Sequence, residues 1–145
     1  MKNLLFPHRL QKPALVALVL FATLSICVLQ FDWQLSILTT PPRAGVFLSD
    51  NNLTDEVCFA GFLISLTVYG FSRERDEDEY AINMRFSALV LAVLLHTLIS
   101  LLIITTAYGL SFPLLAMAHL FTVLILYVLI YKVRRLLVRI SAARV

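Results

Sequence analysis

Two histidines, His96 and His119, are the side chains of this sequence best suited to chemistry in an apolar environment. Counted from the Tyr108–Leu110 turn, they lie about 12 and 10 residues away on either side, which places them at similar depth in two antiparallel helices. Neutral imidazoles can hydrogen-bond between helices, and a pair of them can ligate a haem iron from both sides. The spacing therefore predicts either interhelical hydrogen bonding or bis-histidine ligation of haem b.

Small and polar residues recur beside both histidines at helical spacing. The two stripes are Ala88, Ala92, His96 and Ser100, followed by Ala116, His119 and Thr122. Small residues let membrane helices approach closely, and polar side chains can bond across the contact. We expect the stripes to face each other or to face the first helix. Ser100 and Thr122 would then border a polar pocket suited to a lipid or a small molecule.

The cysteines and the remaining reactive residues form no catalytic set. Cys27 and Cys58 are not in a Cys-x-x-Cys pair, and both fall near the same face of the predicted membrane. They can be two buried free thiols or a disulfide between the first two helices. The sequence contains no Ser-His-Asp set, no phosphate-binding glycine loop, no catalytic acid pair and no third ligand for a metal. It predicts no catalytic residue and no metal site, which favours a non-enzymatic protein.

An uncharged run of 46 residues, from Phe86 to Tyr131, must position the histidines. As one straight helix it would extend about 69 Å, roughly twice a bilayer core of about 30 Å. Gly109 and Pro113 interrupt it near its middle. The run therefore predicts two membrane crossings joined by a tight turn.

Two further apolar stretches precede this run, so we predict an all-α membrane four-helix bundle. The chain is 60% hydrophobic and 14% charged, which is too little charge for the surface of a soluble domain. Thr54 is a predicted N-cap of the second helix, with Asp55 and Glu56 favourably placed in its first turn. The whole chain, 1–145, is predicted to be one transmembrane domain, with spans near 14–31, 54–71, 84–107 and 111–131 and a basic helical extension over 132–141.

The basic residues predict the orientation of these spans. Eleven of the twelve Lys and Arg residues fall on one side of the predicted membrane, and only Arg43 falls on the other. Since basic residues collect on the cytoplasmic side, both termini are predicted to be cytoplasmic. We therefore expect an integral protein of a bacterial cytoplasmic membrane.

Two charged segments form the predicted cytoplasmic surface. In the first, four consecutive acidic residues, Asp76 to Glu79, lie at the predicted start of the third helix, where they complement its dipole. In the second, an apolar stripe and a basic face alternate at helical spacing, so it could bind anionic lipid headgroups or pack on the acidic turn of its own chain or of a neighbour. A short basic stretch tethered at the membrane does not favour nucleic acid. The interaction residues are Arg73, Glu74, Arg75, Asp76, Glu77, Asp78 and Glu79, together with Lys132, Arg134, Arg135 and Arg139.

The segment Phe71–Arg85 resembles a loop of small four-span membrane proteins from Bacteroidetes-type bacteria. In those proteins the loop has roughly the pattern Phe-Ser-Arg/Lys-Glu-Lys-x-Glu-Asp-Glu, followed by an apolar and then a basic residue before the third span. This chain departs from the family at Arg75, where lysine is usual, and at Asp76. The resemblance covers about 15 of 145 residues. It implies a membrane partner or sensor and provides no catalytic residue.

These patterns predict a non-enzymatic partner or sensory subunit that contacts another membrane protein, or a second copy of itself, through its cytoplasmic surface. A haem-binding subunit for electron transfer or redox sensing is one alternative, with His96 and His119 as ligands. The other alternative is a membrane protein that binds a lipid or small molecule between its third and fourth spans.

Overall fold

The structure, a computed structural model, describes residues 5–31, 35–39, 52–74, 79–109 and 111–142. All secondary structure longer than a single bridge in these residues is helical, so the all-α prediction is confirmed. The α-helices are α1 (Gln11–Phe31), α2 (Thr54–Phe71), α3 (Glu79–Thr106), α4 (Ser111–His119) and α5 (Thr122–Ala142), with short 3₁₀ turns at His8–Leu10 and Ser36–Leu38.

Four segments are long and apolar enough to cross a membrane: His8–Phe31, Thr54–Phe71, Glu79–Thr106 and Leu115–Ser141. The α2 bounds coincide with those expected from the sequence. α3 begins at Glu79, five residues before the predicted start of the third span at Met84, and Glu79 in its first turn complements the helix dipole. By contact the chain divides into two compact units, residues 1–72 and 73–145, which are described in turn. The single transmembrane domain remains a prediction.

In the first unit α1 packs against α2. Backbone bonds tie the unit at both ends, with the Phe6 N–H donating to the Phe71 carbonyl and the Leu53 N–H donating to the Leu38 carbonyl. The predicted N-cap role of Thr54 is wrong, because Leu53 holds that position. The fully buried Thr54 hydroxyl instead accepts the Leu35 N–H at 3.0 Å and bonds the side chain of Asn52. It therefore connects the start of α2 to Leu35, which follows α1, and to Asn52, which precedes α2.

Gly61 of α2 lies against the ring of Phe21 in α1. A Cβ atom at this position would overlap the ring of Phe21, so only glycine leaves room for the aromatic side chain. We expect Gly61→Val to lower the free energy of unfolding by about 1–3 kcal/mol through overpacking. Equilibrium unfolding in mixed detergent micelles measures this loss. Phe21→Leu added to Gly61→Val shrinks the ring and should restore most of it; a Gly61→Val protein as stable as the wild type would contradict the packing.

In the second unit α3 packs along α5 through a stripe of small residues. Ala88 and Ala92 are completely buried, and Ala81 is nearly so. The largest side chains buried against solvent are Tyr127 and Tyr131 of α5. The small alanine side chains of α3 leave room for the two large tyrosine side chains of α5, so the two helices can pack closely.

The fourth membrane-spanning segment, Leu115–Ser141, contains a two-residue turn at Leu120–Phe121 between α4 and α5. Neither glycine nor proline lies there. The Leu120 N–H is shared between the carbonyls of Ala116 and Met117, both at 3.2 Å, which tightens the last turn of α4. At the other end of α4, Gly109 has a φ of +64°, a left-handed conformation that glycine adopts without steric cost.

Candidate functional site

Glu74 is held by three cations of α5. Its carboxylate receives Lys132 Nζ at 2.9 Å, Arg135 Nε at 2.7 Å and Arg139 at 3.6 Å. The Glu74 side chain is 9% exposed and that of Arg135 is 13%, whereas that of Arg139 is 66%. The sequence led us to expect partly exposed ion pairs at this end of the chain. The contact between Glu74 and Arg135 is instead largely removed from water, which makes it sensitive to the loss of one partner.

Arg85 extends this cluster toward the interior of the α3–α5 contact. It is 6% exposed, and it donates to the hydroxyl of Tyr127 at 3.1 Å. Its guanidinium lies 4.3 Å from the centre of the Tyr131 ring, within the range of a cation–π interaction. Arg135 donates to the Tyr131 hydroxyl at 2.7 Å, so the tyrosine connects both arginines. We call the seven residues the Glu74 cluster: Glu74, Arg85, Tyr127, Tyr131, Lys132, Arg135 and Arg139.

Helical spacing brings these side chains together. Tyr127, Tyr131, Arg135 and Arg139 are each four residues apart, which places them along one side of α5. In the sequence Arg85 directly precedes the uncharged run, a position typical of the membrane interface, and no pattern indicates a role for either tyrosine. The signal was present: Arg85 lies on the same stripe as Ala81, Ala88 and Ala92, which are all buried.

The charges of the cluster determine the protonation of its carboxylate. Burial alone would raise the pKa of Glu74, but the hydrogen bond from Lys132 and the charges of Lys132, Arg135 and Arg85 outweigh it and lower that pKa below 4.5. A carboxylate with a lowered pKa and cations on both oxygens is a poor proton acceptor. The cluster is therefore suited to holding two segments together rather than to acid–base catalysis.

The other predicted interaction residues are distributed differently. Arg73 precedes Glu74 in the described segment, and Glu79 is an exposed residue at the start of α3. Arg134 points away from the Glu74 cluster and donates to the Ser87 hydroxyl at 2.6 Å. Four residues of the predicted interaction surface lie outside the described part of the chain: Arg75, Asp76, Glu77 and Asp78.

The structure brings His96 and His119 together. Their rings stack with centres 4.0 Å apart and an angle of 6° between their planes. His119 Nε2 lies 2.6 Å from the Ser100 hydroxyl, and its Nδ1 lies 3.1 Å from the Thr122 hydroxyl. The His119–Thr122 contact spans the turn between α4 and α5. The four predicted polar residues thus form one connected group, in which His96 Nδ1 is buried without a hydrogen-bond partner.

The hydroxyl protons assign the tautomer of His119. Ser100 has one proton, which it donates to the His96 carbonyl at 2.8 Å. His119 Nε2 must then be the donor to Ser100, which leaves Nδ1 to accept the proton of Thr122. Each nitrogen of the neutral His119 ring then has a hydrogen-bond partner. The ring therefore links α3 to the start of α5.

The same geometry does not fit a haem held between the two histidines. An iron with two axial imidazoles needs one nitrogen lone pair from each ring aimed at the metal from opposite sides. Here the rings lie face to face, so their lone pairs lie in nearly parallel planes. His119 also uses both nitrogens for Ser100 and Thr122. Haem ligation would require the two stacked rings to turn apart and His119 to lose at least one of its hydrogen bonds.

Ser100→Ala tests the link through His119. The variant removes a hydrogen bond between helices, so we expect a loss of about 1 kcal/mol in the free energy of unfolding. Thr97→Val is the matched control, because the Thr97 hydroxyl bonds the Val93 carbonyl of its own helix. It should change the free energy by less than about 0.5 kcal/mol. Unfolding in mixed micelles measures both, and equal effects of the two substitutions would mean that the contact with His119 adds nothing.

Both cysteines are free thiols in the structure. Cys58 is buried in α2, and Cys27 is partly buried in α1. The disulfide that the sequence allowed is therefore not formed.

Comparisons of the chain with family models, with curated proteins and with solved structures find no match.

Proposed function

We propose that this chain is a non-enzymatic subunit of a bacterial cytoplasmic membrane, with both termini in the cytoplasm. It contacts a partner membrane protein, or a second copy of itself, through the cytoplasmic surface formed by residues 73–79 and 132–139. Four residues of the Glu74 cluster lie in this surface: Glu74, Lys132, Arg135 and Arg139.

The ion pairs between Glu74 and the basic residues of α5 are the observation that supports this proposal. Glu74 follows α2 and precedes α3, whereas Lys132 and Arg135 belong to the last helix, so the ion pairs join segments that are 58 residues apart in sequence. A contact of this kind holds the α5 extension against the segment that follows α2. Arg139, which is mostly exposed, remains accessible at the edge of the cluster.

The polar groups also support a role without catalysis. The cluster carboxylate is a weak base, and Ser100, His119 and Thr122 satisfy one another's hydrogen bonds. Neither group presents an activated nucleophile with a base to serve it. Because these three side chains are bonded to one another, they give little support to a small-molecule pocket beside them.

Photo-crosslinking in the native membrane tests the proposal. A photoreactive residue replaces Arg139, at the exposed edge of the cluster, and a second variant carries it at Leu98, an exposed apolar residue in the middle of α3. We expect the Arg139 variant to give one discrete product, with the mass of two copies or of this chain plus one other protein. The Leu98 variant, which faces away from the cytoplasmic surface, should not give that product.

The outcome that would contradict the proposal is equally specific. If the Arg139 variant reacts only within its own chain, with no second protein attached at full reaction, the cytoplasmic surface has no partner. The same product from both positions would place the contact within the membrane instead of at the cytoplasmic surface.

A further inference from the structure

A groove of about 500 Å³ lies between α3 and α5, on a different side of the helices from the Glu74 cluster. Four residues of α3 form one wall at helical spacing, and three residues of α5 form the other. The lining residues are Tyr80, Asn83, Met84 and Ser87 from α3, with Arg134, Leu137 and Val138 from α5.

The lining divides into a polar and an apolar part. Arg134 and Ser87 bond each other across the groove, and the hydroxyl of Tyr80 and the amide of Asn83 add further donors. Met84, Leu137 and Val138 supply the apolar surface. In the part of the chain that the structure describes, no carboxylate pairs with Arg134, in contrast to the three cations that surround Glu74. The groove therefore presents one cation and several donors beside an apolar wall.

The position of the groove in the sequence matches the level of lipid headgroups. Ser87 is the second residue of the uncharged run, and Arg134 follows that run on the other helix. Basic pockets between membrane helices at this level bind anionic lipid headgroups. Further along α3, Val90 and Leu94 are exposed apolar side chains, on which acyl chains can lie.

We infer that this groove binds one anionic phospholipid. The guanidinium of Arg134 donates to the phosphate oxygens, where its planar fork offers two parallel hydrogen bonds, and the Ser87 hydroxyl supports it. Tyr80 and Asn83 contact the outer part of the headgroup. The first carbons of an acyl chain pack against Met84 and Leu137. This site shares Arg134, Leu137 and Val138 with the 132–139 part of the proposed partner surface, but it uses no residue of the Glu74 cluster. Lipid binding is measured on the protein alone, so its failure is distinguishable from the failure of the partner contact.

Native mass spectrometry of the delipidated full-length protein tests the site. Phosphatidylglycerol and phosphatidylcholine are titrated separately, and the bound lipids are counted. We expect the first phosphatidylglycerol to bind about tenfold more tightly than phosphatidylcholine and Arg134→Gln to remove most of that preference. Arg139→Gln is the matched control, since it deletes the same charge from the same helix outside the groove. Its preference should stay within about twofold of the wild type.

Further measurements distinguish a specific lipid site from a general electrostatic attraction between the basic helix and anionic lipids. Ser87→Ala should weaken phosphatidylglycerol binding without removing a charge, and it replaces Arg134→Gln if that variant fails to fold. Inorganic phosphate at a large excess should not displace the lipid, because it lacks the acyl contacts. Equal binding of the two lipids, equal weakening by Arg134→Gln and Arg139→Gln, or displacement by inorganic phosphate would each overturn the inference.

Discussion

Replacing Glu74 with glutamine is expected to lower the free energy of unfolding by about 2–4 kcal/mol. Glutamine has nearly the same size, so the change removes the charge and leaves the packing. Arg135, which is 13% exposed, then loses the carboxylate that compensates its burial. Removing one partner of a buried ion pair is costly because the other charge stays in a poorly solvated position. Unfolding in mixed micelles, followed by circular dichroism, measures the loss.

Arg139→Gln provides the control for this prediction. It also removes one charge from the cluster, but its side chain is 66% exposed and its distance to Glu74 is 3.6 Å. An exposed pair of this kind contributes about 0–1 kcal/mol. If Glu74→Gln and Arg139→Gln have equal effects, the burial of the Glu74–Arg135 pair has no energetic role.

Because the pKa of Glu74 is lowered, the difference in unfolding free energy between the wild type and Glu74→Gln should depend on pH. A group whose pKa is lower in the folded state stabilises fully above its unfolded value, and this contribution is lost as the pH falls through the folded value. The stability difference between wild type and Glu74→Gln should therefore be constant above about pH 5 and shrink below the ordinary value of 4.5. A difference that stayed constant to lower pH would mean that Glu74 does not titrate in this range.

Arg85→Ala is the second substitution with a large expected effect, about 2–4 kcal/mol of lost unfolding free energy. The change deletes a long side chain that is 6% exposed, its bond to Tyr127 and its contact with the Tyr131 ring. It also removes one of the charges that lower the pKa of Glu74. Arg85→Lys keeps the charge but not the planar group, so it should recover only about half of the loss. Unfolding in mixed micelles compares the two variants.

The control for Arg85 is Arg139→Ala, which deletes the same side chain at an exposed position of the cluster. We expect it to cost less than about 1 kcal/mol. A full recovery by Arg85→Lys would show that only the charge matters and that the stacking on Tyr131 contributes nothing.

Much of the helical architecture could be predicted from the sequence because the signal is long. A run of 46 uncharged residues with one interruption admits few solutions in lipid, since every backbone group must be bonded within a helix. The turn at Leu120–Phe121 could not be found this way. It contains no helix-breaking residue, and the contact between the His119 and Thr122 side chains that spans it is visible only in the structure.

The candidate site was predictable only in part. Equal depth in a hairpin suffices to bring His96 near His119, but it cannot tell stacked rings from rings that share a ligand. That difference depends on which hydroxyls reach the nitrogens, and only the structure provides those distances. Arg85 was missed for a related reason. An arginine beside an apolar run is usually placed in the headgroups, and here two tyrosines of α5 give it polar and aromatic contacts in a buried position.

The arrangement of the spans is the claim on which the proposed function depends. For Lys132 and Arg135 to bind Glu74, the segment after α2 and the end of α5 must lie on the same side of the membrane. Fusions after Thr39, Ser72, Tyr108 and the final Val145 test this with two reporters. Alkaline phosphatase is active only outside the cytoplasm, and green fluorescent protein is fluorescent inside it.

We predict phosphatase activity for the fusions after Thr39 and Tyr108, and fluorescence for those after Ser72 and Val145. Opposite compartments for Ser72 and Val145 would contradict the account, because the ion pairs of Glu74 could not form across a bilayer.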